Sequence, residues 1–256
     1  MVFTFLVVWL SGLVVGRFLM VPIRAELESR PLRGVWGARP LCDCPARRTD
    51  LLPLLFQGWS RALGCDTCPE PSRLGRPVYI LVELITAFAW AATAWLLEGQ
   101  WVLVAYLWLV SLTVVLGTVD LFSYRLPNRI LIPGTALGMV LLAGGAGLDG
   151  RPTDLVGAIA TGLGYFLAWL IPALLTGGGI GMGDVKLAFL LGLFAGYQGW
   201  RTVITAAFGA LLLAGGVALV LMALRRITRR DHLPFGPFMV AGTWLAIAMT
   251  LAEGLP

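Results

Sequence analysis

The sequence predicts an all-α fold, a polytopic membrane protein of about eight transmembrane helices with a small cytoplasmic loop module. Three observations predict it. Of the 256 residues, 58% are hydrophobic and only 13% charged, where a soluble domain carries roughly 25% charged residues. The mean hydropathy is +0.85. Apolar runs of membrane length recur along the chain, and a spanning helix needs about 20 mainly apolar residues. Ten tryptophans and 32 glycines agree, because Trp collects at bilayer interfaces and Gly in packed membrane helices.

Taken in order, the first apolar run covers 2–20. It has no basic n-region and no small-residue cleavage site, so it reads as a retained first helix rather than a removable signal peptide. Residues 21–77 are the one sizeable hydrophilic region. They hold all four cysteines, in "CDC" (Cys42, Cys44) and "CDTC" (Cys65, Cys68), with prolines scattered throughout. This stretch reads as a cytoplasmic module, and 78–256 as a seven-helix membrane core. The core helices are predicted at 78–97, 101–119, 130–147, 155–175, 185–199, 201–224 and 236–253. The sixth of the eight helices is short, and only "GW" and Arg201 separate it from the seventh.

Cytoplasmic loops carry an excess of Lys and Arg. With the N-terminus outside, all but Arg151 and Arg201 of the 19 lysines and arginines fall on the cytoplasmic side. That asymmetry also accounts for the net charge of +5, so no nucleic-acid partner is expected. The "RRITRR" cluster at 225–230 fixes topology and meets anionic lipid. His232, beside it, reads as a surface residue.

Acidic residues in or beside the helices are few: Glu83, Glu98, Asp120, Asp184 and Glu253. Glu98 and Glu253 lie near outer ends that solvent reaches. Glu83 falls about one turn into the second helix, where packing and substrate roles both stay open. Asp120 closes the third apolar run in "VVLGTVDLFSYRLPN", and Asp184 opens the sixth in "GMGDVKLAFLLG". By the charge pattern both lie at cytoplasmic helix ends, at similar depth. An ionisable group at membrane depth is costly and usually marks function. Two carboxylates held close share a proton, so that one activates water while the other polarises a peptide carbonyl. This is aspartic-protease chemistry, and it needs no cofactor.

The glycines before Asp184, Gly181 and Gly183 among them, allow close backbone approaches, and the first turn of a helix favours a negative charge. The stretch lacks G-K-[ST] and fits no phosphate-binding pattern. A plainer reading stands beside the catalytic one: an N-terminal helix cap and a solvated C-terminal residue. Lys186, two residues after Asp184, is expected to anchor at lipid headgroups.

"GMGDVKLAFLLGLFAG" resembles the signature of the type IV prepilin peptidases, a branch of the GxGD intramembrane aspartyl proteases. "RPVYILVELITA", "VDLFSYRLPNRILIP" and "LPFGPFMVAG" resemble further family segments in the same order, and "GLVVGRFLMVPIR" resembles its opening helix more weakly. The resemblance covers essentially the whole chain. It implies Asp120 and Asp184 as the catalytic pair, with Gly181 and Gly183 as the glycines of the signature. It also implies an enzyme of the bacterial inner membrane that cuts a basic leader from type IV prepilin or pseudopilin precursors at the cytoplasmic face. Many family members then methylate the new N-terminus with S-adenosylmethionine.

Two departures stand out. The family's "LPD" is "LPN" here (Leu126, Pro127, Asn128), and Asn128 is expected to cap the next helix as an aspartate does. The family often has two C-x-x-C pairs in its first loop, a zinc-knuckle pattern, whereas Cys42 and Cys44 here are spaced C-x-C. Zinc usually takes the longer spacing, yet Cys42, Cys44, Cys65 and Cys68 stay candidate zinc ligands. A disulfide is the alternative, which a reducing cytosolic loop disfavours. Methylation is the activity that a broken cysteine site would affect first. Two other classes use similar features: an ion-coupled transporter, with membrane aspartates and glycine-broken helices, and a catalytically silent pilus-assembly factor. Placement of both aspartates at one face argues against the transporter.

Overall fold

In a computed structural model of the chain, the described residues are 2–29, 74–175, 181–228 and 233–253. Among them every apolar run is an α-helix and no strand occurs. Hydrocarbon requires this, because backbone N–H and C=O groups without water must find partners inside their own segment. Among the described residues eight helices follow in order: α1 Val2–Leu27, α2 Arg76–Leu96, α3 Leu103–Ser123, α4 Asn128–Leu148, α5 Asp154–Leu175, α6 Met182–Tyr197, α7 Trp200–Ala223 and α8 Gly236–Glu253. Seven are long and apolar enough to cross a membrane, which makes this a multi-pass membrane protein. The exception is α6, whose 16 residues reach about 24 Å where the hydrocarbon core is about 30 Å thick.

Helix bounds shift from the sequence expectation in every helix but α8, most clearly at the end of α1, the start of α2 and the end of α3. Helix α1 continues past residue 20 to Leu27, with Pro22 inside it. The apolar run ends at 20, but the helix holds beyond it because Arg24 Nε donates to Glu28 Oε1 at 2.8 Å, one turn on, and Ile23 and Ala25 are buried. Helix α2 begins at Arg76, which puts Glu83 about two turns in rather than one. Helix α3 ends at Ser123, so Asp120 lies inside its last turn instead of just beyond it.

The chain falls into two compact units, Met1–Glu98 with Leu107–Phe122, and Gly99–Tyr106 with Ser123–Pro256. In the first, α1 lies against α2 at Gly12 and Gly16, a small-x-x-x-small spacing suited to close helix approach. A methyl on Gly12 would sit 2.7 Å from Ala87 Cα, and one on Gly16 would sit 2.8 Å from Glu83 Cα. Trp9 meets Phe88 edge-on at 5.9 Å. The Arg17 guanidinium lies 5.8 Å from the Tyr79 ring centre, and Trp90 Nε1 donates to Ser111 Oγ of α3 at 3.2 Å.

In the second unit α6 touches α4, α5, α7 and α8. Every residue from Leu190 to Tyr197 is buried, as a helix apolar all round must be. Gly192 and Gly196 repeat the small-residue spacing against α5. A methyl on Gly192 would meet Tyr165 Cβ at 2.9 Å and Gly162 Cα at 3.1 Å, and one on Gly196 would collide with Thr161.

Polar contacts close the C-terminal end of α6. Tyr106 Oη donates to the Phe194 carbonyl at 2.8 Å and accepts from Gln198 Nε2 at 2.8 Å. The N–H groups of Gln198 and Gly199 reach the carbonyls of Ala195 and Gly196, so the carbonyls that a helix end leaves open find donors. Nearby, the Asp149 carboxylate accepts from the Trp101 and Val102 N–H groups at 2.7 and 3.0 Å and caps the start of α3. Trp95, Trp101 and Trp200, each at or near a helix end, are exposed.

The crossing of α5 and α6 gives a first prediction. Gly192→Val is expected to cost about 1–3 kcal/mol, the usual penalty for overpacking. Gly215→Ala, where a methyl meets nothing within 4 Å, is expected to leave the protein as stable as before. Thermal unfolding in detergent measures both, and equal melting temperatures would mean that the crossing can open.

Candidate active site

The stretch "GMGDVK" builds the first turn of α6. Gly181 stands at its N-cap with extended backbone (φ −66°, ψ 132°), and the N–H groups of Asp184 and Val185 bond its carbonyl at 3.0 and 3.3 Å. Asp184 is thus the third helical residue, where an acidic side chain turns back toward the cap. Its carboxylate lies over Gly181: a methyl there would sit 3.3 Å from Asp184 Oδ2. Glycine at 181 leaves room for the carboxylate.

Gly183 has a different neighbour. A methyl on it would sit 2.9 Å from Leu126 Cβ, so the "RLPN" turn rests directly on the first turn of α6. One turn further along the helix, Lys186 Nζ donates to Asn128 Oδ1 at 2.9 Å. Two sequence expectations are corrected here. Lys186 reaches a side chain of the protein rather than serving only as an anchor among headgroups. Asn128 does not cap α4, because Pro127 takes the N-cap place with φ −71°. Asn128 is the first helical residue, and its amide oxygen is engaged by Lys186.

Asp120 belongs to the first unit and Asp184 to the second. Asp120 is 5% exposed in the last turn of a membrane-length helix. That helix ends at Ser123, and Tyr124 leaves it with φ +54°, a left-handed residue of the kind that terminates helices. Leu126, only six residues beyond Asp120, is the residue that packs on Gly183. Sequence reasoning missed this docking of the turn on α6. Its one trace in the sequence is that "LPN" and "GMGD" occur together, and spacing alone does not show that they touch. Glu83 is completely buried, a stronger placement than its position near a helix end suggests.

Cys42, Cys44, Cys65, Cys68 and His232 lie outside the described residues, as do Arg229 and Arg230. Among the described residues no group of three or more His, Cys, Asp or Glu side chains gathers as metal ligands would.

Residues 103–220 match the type IV leader peptidase family. The chain is 33% identical over 216 residues to the prepilin leader peptidase/N-methyltransferase of Aeromonas hydrophila, an alignment covering 81% of this chain and 69% of that protein. The chain belongs to the type IV leader peptidase family. Relatives of the same name are 31% identical over 218 residues in Bacillus subtilis, covering 81% of each chain, and 29% identical over 267 residues in Pseudomonas aeruginosa, covering 93% and 88%. No solved structure matches the chain. The span matched to the leader peptidase family contains Asp120, the "RLPN" turn and the whole of α6.

For a leader peptidase built this way, Gly183→Ala is expected to push Leu126 off the helix and lower peptidase activity roughly tenfold or more, since small misplacements at a reacting centre are costly. Gly164→Ala, with nothing within 4 Å of the added methyl, is the matched control. Cleavage of a leader-bearing peptide compares them. Full activity in the Gly183 variant would show that the turn yields freely.

Proposed function

We propose that the chain is a membrane aspartic endopeptidase that removes the basic leader from type IV prepilin-like precursors, with Asp120 and Asp184 as its catalytic pair. One observation carries the pairing. Leu126, six residues after Asp120, packs on Gly183, the residue before Asp184. Two further facts support it: both aspartates lie at helix ends that the arginine pattern assigns to one side, and Asp120 is a buried acid in a membrane helix, a costly placement that usually marks function. Family membership and the names of the relatives supply the substrate class.

In this reading one aspartate is ionised and the other protonated. The ionised carboxylate takes a proton from water as the water oxygen bonds to the scissile carbonyl carbon. The protonated one gives its proton to the carbonyl oxygen, and a tetrahedral gem-diol forms. The pair now holds the proton taken from water. It passes to the leaving nitrogen as the C–N bond breaks, and the gem-diol returns a proton to the pair as its carboxyl group forms. The leader departs with the new carboxylate and the mature chain keeps a new amino terminus. No cofactor enters these steps.

The active site works at the cytoplasmic face of the inner membrane, and the precursor's positive leader stays there for the reason the enzyme's own arginines do. The substrate helix unwinds near the cut, because a peptide carbonyl inside a helix is already bonded. Methylation of the new N-terminus with S-adenosylmethionine follows cleavage in this reading, and the relatives are named N-methyltransferases as well as leader peptidases. It belongs to the module at 21–77, with the four cysteines as its zinc candidates, and no step of peptide cleavage passes through a metal.

Asp120→Asn and Asp184→Asn are each expected to lower cleavage of a model prepilin by about 10²- to 10⁴-fold, the range for loss of a positioned acid or base, with the fold intact. Gel shift and mass spectrometry follow leader removal, and cleavage retained by either variant would remove that aspartate from the pair. In the same assay with S-adenosylmethionine, the wild-type product should gain the mass of one methyl group. Cys65→Ser should cut normally yet lose that gain, and a methylated product from this variant would separate the cysteines from methyl transfer.

A further inference from the structure

We infer that the turn Leu126–Asn128 is the positioning element of the active site, and that Lys186 and Asn128 are positioning residues which hold Asp184 through the first turn of α6. The inference rests on Asp184 being half of the catalytic pair.

Beyond its first turn α6 is fixed by packing, with Leu187 and Ala188 fully buried. Within the first turn only Val185 is buried to that degree, while Met182 is exposed and Gly183 and Asp184 are half-buried. The cap of the turn is a glycine with no side chain to bond the free N–H groups, and the first N–H groups of a helix have no partners within it. The "RLPN" segment bears on the turn at two places. Leu126 Cβ fills the space over Gly183, and Asn128 Oδ1 takes the Lys186 ammonium at 2.9 Å.

Lys186 is two residues from Asp184, about 200° around the helix, so the two side chains do not face each other. The ammonium therefore acts on Asp184 through the backbone of the turn rather than by direct contact. Asn128 can play this part because it is not the cap of α4. Pro127 sets the start of that helix with its fixed φ, which frees the Asn128 amide to serve as acceptor. A bond from a charged donor to a neutral amide is stronger than a neutral pair. Leu126 fixes how closely the turn approaches, and the Lys186 bond fixes its rotation about the α6 axis. Together they set where the Asp184 carboxylate points relative to an incoming peptide bond.

The test is steady-state cleavage of a model precursor in detergent by purified full-length enzyme, for Lys186→Met, Asn128→Ala, the double variant, Asn128→Asp and Asp184→Asn. Lys186→Met and Asn128→Ala should each lower kcat roughly tenfold, as expected for a lost charge-assisted bond, with KM and melting temperature unchanged. The double variant should be no slower than either single one, because both remove the same bond. Asn128→Asp keeps the acceptor and should retain wild-type kcat. Wild-type kcat in both single variants, or losses that multiply in the double variant, would overturn the inference. A higher KM with unchanged kcat would also overturn it, by placing Lys186 on the substrate instead of on Asn128. Full cleavage by Asp184→Asn would overturn the catalytic reading on which the inference stands, whereas loss there with normal Lys186→Met and Asn128→Ala would overturn the inference alone.

Discussion

The backbone crossing of α5 and α6 is the constraint on which the second unit depends. Gly162 and Gly192 bring the two backbones within reach of each other, leaving no room for a methyl group on Gly192. In lipid no hydrophobic force drives helices together, so dispersion between closely matched surfaces must do it. Glycines at the contact let the backbone of α6 rest directly on α5 beside Tyr165 and Thr161. They also let α6 be enclosed on all sides, with neighbours on α4, α5, α7 and α8. A helix held that firmly can carry a reactive group at its exposed tip without the rest of it moving.

The two ends of α6 are handled differently. At the C-terminal end, Tyr106, Gln198 and the following N–H groups supply donors to the open carbonyls, and the helix is finished. At the N-terminal end the cap is a bare glycine and the carboxylate of Asp184 folds over it. The "RLPN" turn leans on this end, with Leu126 over Gly183 and Asn128 Oδ1 accepting from Lys186.

Much of this was legible in the sequence. The long apolar runs specify helices because hydrocarbon permits little else. Asp184 after its glycines was readable as a helix-opening acid, and the structure places it in the first turn. Less legible was whatever depends on which residues touch. The end of α1 was set too early because hydropathy falls at residue 20, while an ion pair and buried side chains carry the helix to Leu27. Asn128 read as a cap because Asn favours caps, yet the proline before it had already taken that place. Lys186 read as a lipid anchor because its partner lies 58 positions away, and nothing in local spacing points there.

The shortness of α6 reaches beyond the protein itself. It falls about 6 Å short of a typical hydrocarbon core, and that deficit has to be met by thinner lipid, by water, or by polar groups drawn inward. A peptide bond cannot be hydrolysed without water, and oily surroundings are poor at delivering it. Ending a helix a turn early lowers the aqueous boundary locally without opening a pore.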